Sequence, residues 1–237
     1  MYNHRIQRWR PGATVGITAA GGNGFGDSQT QLEEPGKIDI DSQGNLYIAD
    51  TGNNRVQKWE YGGLTGKTVA GGNGMGKELN QLHNPFGIAV DESGAIYISE
   101  LSNHRVTKWN PGASEGEIVA GGNGEGAGAN QLAIPMGVAV NKKGDLYIAD
   151  TYNHRVQLWE KGSTEGKTLI SGKDFKSGFE TSYFSCISLV NESHLYITDY
   201  HSKRIIRYDI DSENIEVIST NDSIKDDVDK LSQPYQT

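Results

Sequence analysis

Short apolar runs alternate with polar residues along the whole chain, and each run is bounded by Gly, Pro, Asn or Asp. In one stretch Gly87-Ile88-Ala89-Val90 is followed by the turn Asp91-Glu92-Ser93-Gly94. The alternating run Ala95-Ile96-Tyr97-Ile98-Ser99 comes next, then the loop Leu101-Ser102-Asn103. Arg105-Val106-Thr107-Lys108-Trp109 follows, and Pro111-Gly112 reverses the chain before Gly116-Glu117-Ile118-Val119-Ala120. Runs of this length with a period of two, punctuated in this way, read as strands joined by tight turns. No stretch sustains apolar positions three and four residues apart, so no long helix is expected.

The same pattern returns. Asn3-His4-Arg5 recurs as Asn53-Asn54-Arg55, Asn103-His104-Arg105 and Asn153-His154-Arg155, 50 residues apart each time, and Ser202-Lys203-Arg204 follows one residue early. Trp9, Trp59, Trp109 and Trp159 keep that register, with Tyr208 as the fifth member. Tyr47, Tyr97, Tyr147 and Tyr196 form a second column, and Asp50, Glu100, Asp150 and Asp199 a third. Gly-Gly-Asn-Gly at 21–24 returns at 71–74 and 121–124, then decays to Ser171-Gly172-Lys173-Asp174. Four antiparallel strands per unit, repeated with short turns, predict the blades of a β-propeller. A parallel β-solenoid competes, but its repeat is shorter, at roughly 20–30 residues.

Composition narrows the function classes. The chain of 237 residues carries 22 Lys and Arg against 30 Asp and Glu, a net charge of −8. That balance opposes broad binding to a phosphate backbone, so a nucleic-acid partner is not expected. A single cysteine, Cys186, excludes an internal disulfide framework and a Cys-rich zinc site. There is no apolar run long enough to span a membrane and no secretory pattern at the N-terminus; the compartment stays open. The 31 glycines agree with many turns.

The strings Pro85-Phe86-Gly87-Ile88-Ala89-Val90-Asp91, Tyr97-Ile98-Ser99-Glu100 and Asn103-His104-Arg105-Val106 resemble the NHL repeat family of β-propellers. The resemblance implies an all-β fold of four-stranded antiparallel blades: four full blades plus a half blade, as part of a five- or six-bladed ring. The units are 1–35 for the half blade, then 36–85, 86–135, 136–184 and 185–230, with a further blade starting at 231–237. The expectation is therefore a fragment, or a chain completed by another. Closure as five blades needs roughly 20–30 more residues and closure as six roughly 70, and self-association through the open half blade is one route. The family spans receptor-like domains, substrate-binding ends of RING-type ubiquitin ligases, RNA-binding regulators and a zinc lyase, among which fold does not choose.

The residues that could carry chemistry each have a plainer reading. The Asp50–Arg55 and Asp150–Arg155 pairs repeat in every unit, whereas chemistry breaks a repeat's symmetry; they read as framework ion pairs. His4, His104 and His154 sit in separate units, so they do not converge on a metal. Asp39-Ile40-Asp41-Ser42-Gln43-Gly44 has the look of a calcium loop without its helices or its terminal Glu, and reads as a hairpin turn. None of the Gly-rich strings follows a strand and opens a helix, so the phosphate-cradle reading fails on context. The lyase of the resembling family places histidines just after the proline of the inner strand, where this chain has Gly36, Phe86, Met136 and Cys186. Cys186 reads as a small buried hydrophobe. Asn191-Glu192-Ser193 and Asn221-Asp222-Ser223 match the glycosylation triplet, a pattern common by chance.

Positions that vary between copies are freer to carry function. The loops between blades and those between second and third strands share one end of a propeller, and on it fall Phe25, Met75, Glu125, His83, Phe86, Leu101, Met136, Tyr152, Tyr200 and His201. Several are large and apolar in loops that should be wet, which suits a protein or peptide partner. The expected function is a non-catalytic binding module with no cofactor and no metal. Its alternatives are the substrate-recognition region of a RING-type ligase and a propeller enzyme of the lyase or lactonase kind.

Overall fold

The computed structural model describes residues 3–175 and 182–220; the triplet at Asn221 and the unit start at 231–237 lie outside them. The half blade is the two-stranded sheet of β1 (Arg5–Arg8) and β2 (Ile17–Gly21). The first full blade comprises β3 (Pro35–Ile40), β4 (Leu46–Asp50), β5 (Arg55–Trp59) and β6 (Gly66–Gly71). The second comprises β7 (Pro85–Val90), β8 (Ile96–Glu100), β9 (Arg105–Trp109) and β10 (Glu117–Gly121). The third comprises β11 (Pro135–Val140), β12 (Leu146–Asp150), β13 (Arg155–Trp159) and β14 (Lys167–Ser171). The fourth comprises β15 (Phe184–Val190), β16 (His194–Asp199), β17 (Arg204–Asp209) and β18 (Ile215–Thr220). Each full blade is a four-stranded antiparallel sheet in chain order, as the repeat predicts. The inner strands β3, β7, β11 and β15 pack in succession around a common axis.

The inner strand starts earlier than its apolar run suggests. In the first three full blades it opens on the proline, which lacks an N–H and is tolerated at the first position of a strand. Phe86 and Met136 are therefore strand residues rather than loop residues. The loops at 51–53 and 151–153 are single 3₁₀ turns.

The core lies between blades. Trp109 packs with Ile88, Ile96 and Ile98 of its own blade and with Tyr47, Val56, Ala70 and Leu82 of the preceding one. Trp59 likewise meets Ala20 and Leu32, and Trp159 meets Val106, Ala120 and Leu132. The tryptophan column is thus an inter-blade column. Trp9 lies in that column but has no preceding blade to cover it among the described residues; it is 56% exposed, against 2% for Trp109. Ile38 and Ile40 on β3 are exposed for the matching reason, while Ile88 and Val138, the counterparts of Ile38, are buried and Val90 and Val140, those of Ile40, are half-buried.

In the first three full blades the first turn is capped by its own side chain. Asp91 Oδ1 accepts the N–H of Ser93 at 2.9 Å and of Ala95 at 3.0 Å, and Asp41 treats Gln43 and Asn45 the same way. This is an Asx-type turn, and it accounts for the calcium-like string. Asp39 instead accepts the N–H of Val90, in the next inner strand, at 2.7 Å. Tyr97 donates its hydroxyl to Asp91 Oδ2 at 3.2 Å. Burial, together with the Asp91 carboxylate, pushes the Tyr97 phenol up to about 12.

Two outcomes follow. Trp109→Ala should cost about 3–5 kcal/mol in urea unfolding, and Trp9→Ala less than about 0.5 kcal/mol. The folded Tyr97 holds its proton above the unfolded value of 10, so its contribution to stability is complete below pH 10 and is lost as pH rises toward about 12. Denaturant melts on either side of pH 10 should show a smaller loss in Tyr97→Phe.

Candidate functional site

At the end of the blades where β4 turns into β5, the acid and arginine columns meet. Arg55 Nε donates to Asp50 Oδ2 at 2.7 Å, and Arg55 Nη1 and Nη2 donate to the carbonyls of Asp27 at 2.6 Å and Ser28 at 3.2 Å. Asp50 Oδ1 accepts the N–H of Glu33 at 2.6 Å, and Oδ2 the amide of Asn53 at 2.9 Å. Arg105 with Glu100, Arg155 with Asp150 and Arg204 with Asp199 form the same pair, at 2.8, 2.6 and 3.0 Å. These pairs are buried and carry the framework.

The Asn-His-Arg histidines also have a structural task. The second residue of each triplet has a left-handed backbone, with φ of 44° at His4, 50° at Asn54 and His104, 53° at His154 and 48° at Lys203. Asn and His are among the residues that tolerate this conformation best. From there His4 Nδ1 accepts the N–H of Glu34, and His104 Nδ1 that of Ile134, both at 3.2 Å; Asn54 Oδ1 accepts that of Asn84 at 2.9 Å. His154 Nδ1 faces the Ser182 carbonyl at 3.0 Å. The His4, Asn54, His104 and His154 side chains are staples to the blade that follows.

The inter-blade loops are held firmly beneath their tips. Gln31 donates to the carbonyls of Asn23 and Phe25, and Gln81 and Gln131 repeat the bond to Asn73 and Asn123 at 3.0 Å. Leu32, Leu82 and Leu132 are fully buried below. Gly121 has φ +66°, and a Cβ there would lie 2.5 Å from the His104 carbonyl; the Gly-rich string is fixed by backbone geometry. Phe25 and Met75, at equivalent tips one blade apart, are each 63% exposed. His4 meets the Phe25 ring edge-on at 5.5 Å.

The other predicted residues divide. Tyr152, Tyr200 and His201 are exposed. Tyr152 and His201 converge on Tyr183, with ring centroids at 6.0 and 5.7 Å, and His154 joins them at 5.1 Å. His83, Phe86, Leu101 and Met136 are half-buried rather than wet, because they lie at the inner-strand start or under the loop. Leu101 varies for a structural reason. In the neighbouring blades Thr51 and Thr151 donate to the carbonyls of Pro85 and Phe184 at 2.7 Å. In the second blade Ser99 supplies that hydroxyl to the Met136 carbonyl, also at 2.7 Å, so position 101 is released.

Two residues were missed. Tyr183, the hub of the aromatic cluster, occupies the column of His83, so its variation was visible in the repeat. Lys37 stands where the next two blades have Gly87 and Gly137; its Nζ lies 5.8 Å from the Phe86 ring centroid and donates to Cys186 Sγ. Cys186 is therefore half-buried beside a lysine, not a buried hydrophobe. A cleft of about 390 Å³ between the second and third blades is lined by Tyr97, Lys108, Glu117, Trp159 and Lys161, and includes none of the predicted residues.

The NHL repeat family profile matches residues 32–59 and 132–158. No curated protein matches the sequence. Among solved structures, a chain of the nidogen/laminin complex superposes with a TM-score of 0.66 at 17% identity, over 91% of this chain and 71% of that one. A streptogramin B lyase gives 0.52 at 13% identity, over 78% and 54%. A virginiamycin B lyase from Staphylococcus aureus gives 0.55 at 14% identity, over 92% and 64%. The chain thus spans less than two thirds of either lyase, and at these identities the likeness is one of fold.

The staple can be tested directly. His104→Ala should lower stability by about 1–2 kcal/mol through the lost hydrogen bond and the left-handed backbone. His104→Asn, which imitates Asn54, should stay within about 0.5 kcal/mol of the parent; thermal melts of the two variants separate these outcomes.

Proposed function

We propose that this chain, an NHL-repeat β-propeller, is a non-catalytic module that holds a protein or peptide against the loop end of its blades. The observation that carries the reading is the exposure of Phe25 and Met75 on loops whose backbones are tied by Gln31, Gln81 and the framework arginines. A large apolar side chain on a pre-ordered loop loses little entropy on binding. The cluster of Tyr152, Tyr183 and His201 offers a second anchor, with polar tips for hydrogen bonds. A protein complex among the structural neighbours agrees with this use of the fold.

Two double variants test the face: Phe25→Ala with Met75→Ala, and Phe86→Ala with Tyr152→Ala. Peptides selected on the parent chain from a displayed random library should bind at least one of them about tenfold more weakly or worse, as loss of anchor residues does, while circular dichroism stays unchanged. Unaltered affinity in both would move the binding site off this face.

A further inference from the structure

We infer that Lys37 and Cys186 form an oxidation-dependent cross-link that fastens β3 of the first blade to β15 of the fourth. The site begins with a break in the repeat. In the next two blades the column of Lys37 is glycine, because the neighbouring inner strand approaches closely: a Cβ at Gly87 would lie 2.1 Å from the Met136 carbonyl oxygen, and one at Gly137 2.8 Å from the Ile187 nitrogen. The first blade places a long amine there instead. That amine passes over the Phe86 ring and meets the thiol of Cys186, 149 residues away in sequence. Cys186 is the sole cysteine, so no disulfide partner exists within the chain. It is half-buried.

The chemistry needs one oxidant, hydrogen peroxide. The thiol attacks the peroxide O–O bond; sulfur loses two electrons and becomes sulfenic acid, and one water leaves. Sulfenic acids condense with a neighbouring nitrogen to give a sulfenamide. Here the Lys37 nitrogen, once its ammonium has lost a proton to water, attacks sulfur, the S–N bond forms as the S–O bond breaks, and the hydroxyl departs with an amine proton as a second water. The net change is the loss of two hydrogens. A thiol reductant reverses it by attack on sulfur. The link closes a loop of about 150 residues, which restricts the unfolded chain and raises stability. The inference is independent of the partner-binding reading.

The full chain is treated with hydrogen peroxide, quenched with catalase, digested without reductant and read by mass spectrometry. The expected product is a peptide pair joining Lys37 to Cys186, lighter by two hydrogens than the sum of its parts. It should be lost on adding dithiothreitol and absent from Lys37→Arg and Cys186→Ser. The thermal midpoint should rise after peroxide in the parent alone. Equal trapping of Cys186 sulfenic acid by dimedone in the parent and in Lys37→Arg, with no linked pair, would overturn the proposal. So would direct passage to sulfinic acid in the parent; both parent mass readings decide the matter even if a variant folds poorly.

Discussion

A buried carboxylate facing a guanidinium organises each blade. Asp50 is fully desolvated and is tolerable there only because Arg55, Asn53 and the Glu33 N–H satisfy its oxygens. Arg55 in turn spends its remaining donors on the carbonyls of the incoming loop. One knot therefore joins the β4–β5 turn, the loop from the preceding blade and the entry to the inner strand. Loss of either partner would strand a charge in the interior, which costs far more than a surface ion pair returns. The variable tips can change because this knot, and not their own chemistry, places them.

The second blade shows how the framework tolerates substitution. Glu100 replaces the aspartate of its neighbours and reaches further, and the residue facing it shortens from Gln57 or Gln157 to Thr107. Thr107 donates to Glu100 at 3.0 Å, and Trp109 donates to Thr107 at 3.3 Å. In the flanking blades the Gln57 and Gln157 amides and the Trp59 and Trp159 ring nitrogens lie buried without a partner among the described residues. The longer acid with the shorter alcohol thus completes a chain of hydrogen bonds that the commoner pairing leaves open.

The strands, the blade order and the acid–arginine pairs were legible because a period of two and a repeat of 50 residues are local or self-referential signals. The staples were not. A repeat says that His4, Asn54 and His104 are equivalent, but not that each reaches backbone 30 residues on. Likewise Lys37 and Cys186 meet only because the blades curve around an axis, a property of tilt between sheets that no side-chain pattern encodes. Variation proved an ambiguous guide: at Tyr183 it accompanies an aromatic cluster, whereas at Leu101 it only records a hydroxyl moved two positions to Ser99.

The half blade adds a point about growth by accretion. On one side β1 pairs with β2, and on the other no described strand covers it. An unpaired strand edge is in general a template for pairing. β1 carries Arg5 and Arg8 at its two ends. Two copies laid edge to edge in the centred antiparallel register would set arginine against arginine, a repulsive cross-strand pairing. Like charges at both ends of β1 thus oppose pairing between two copies of this strand.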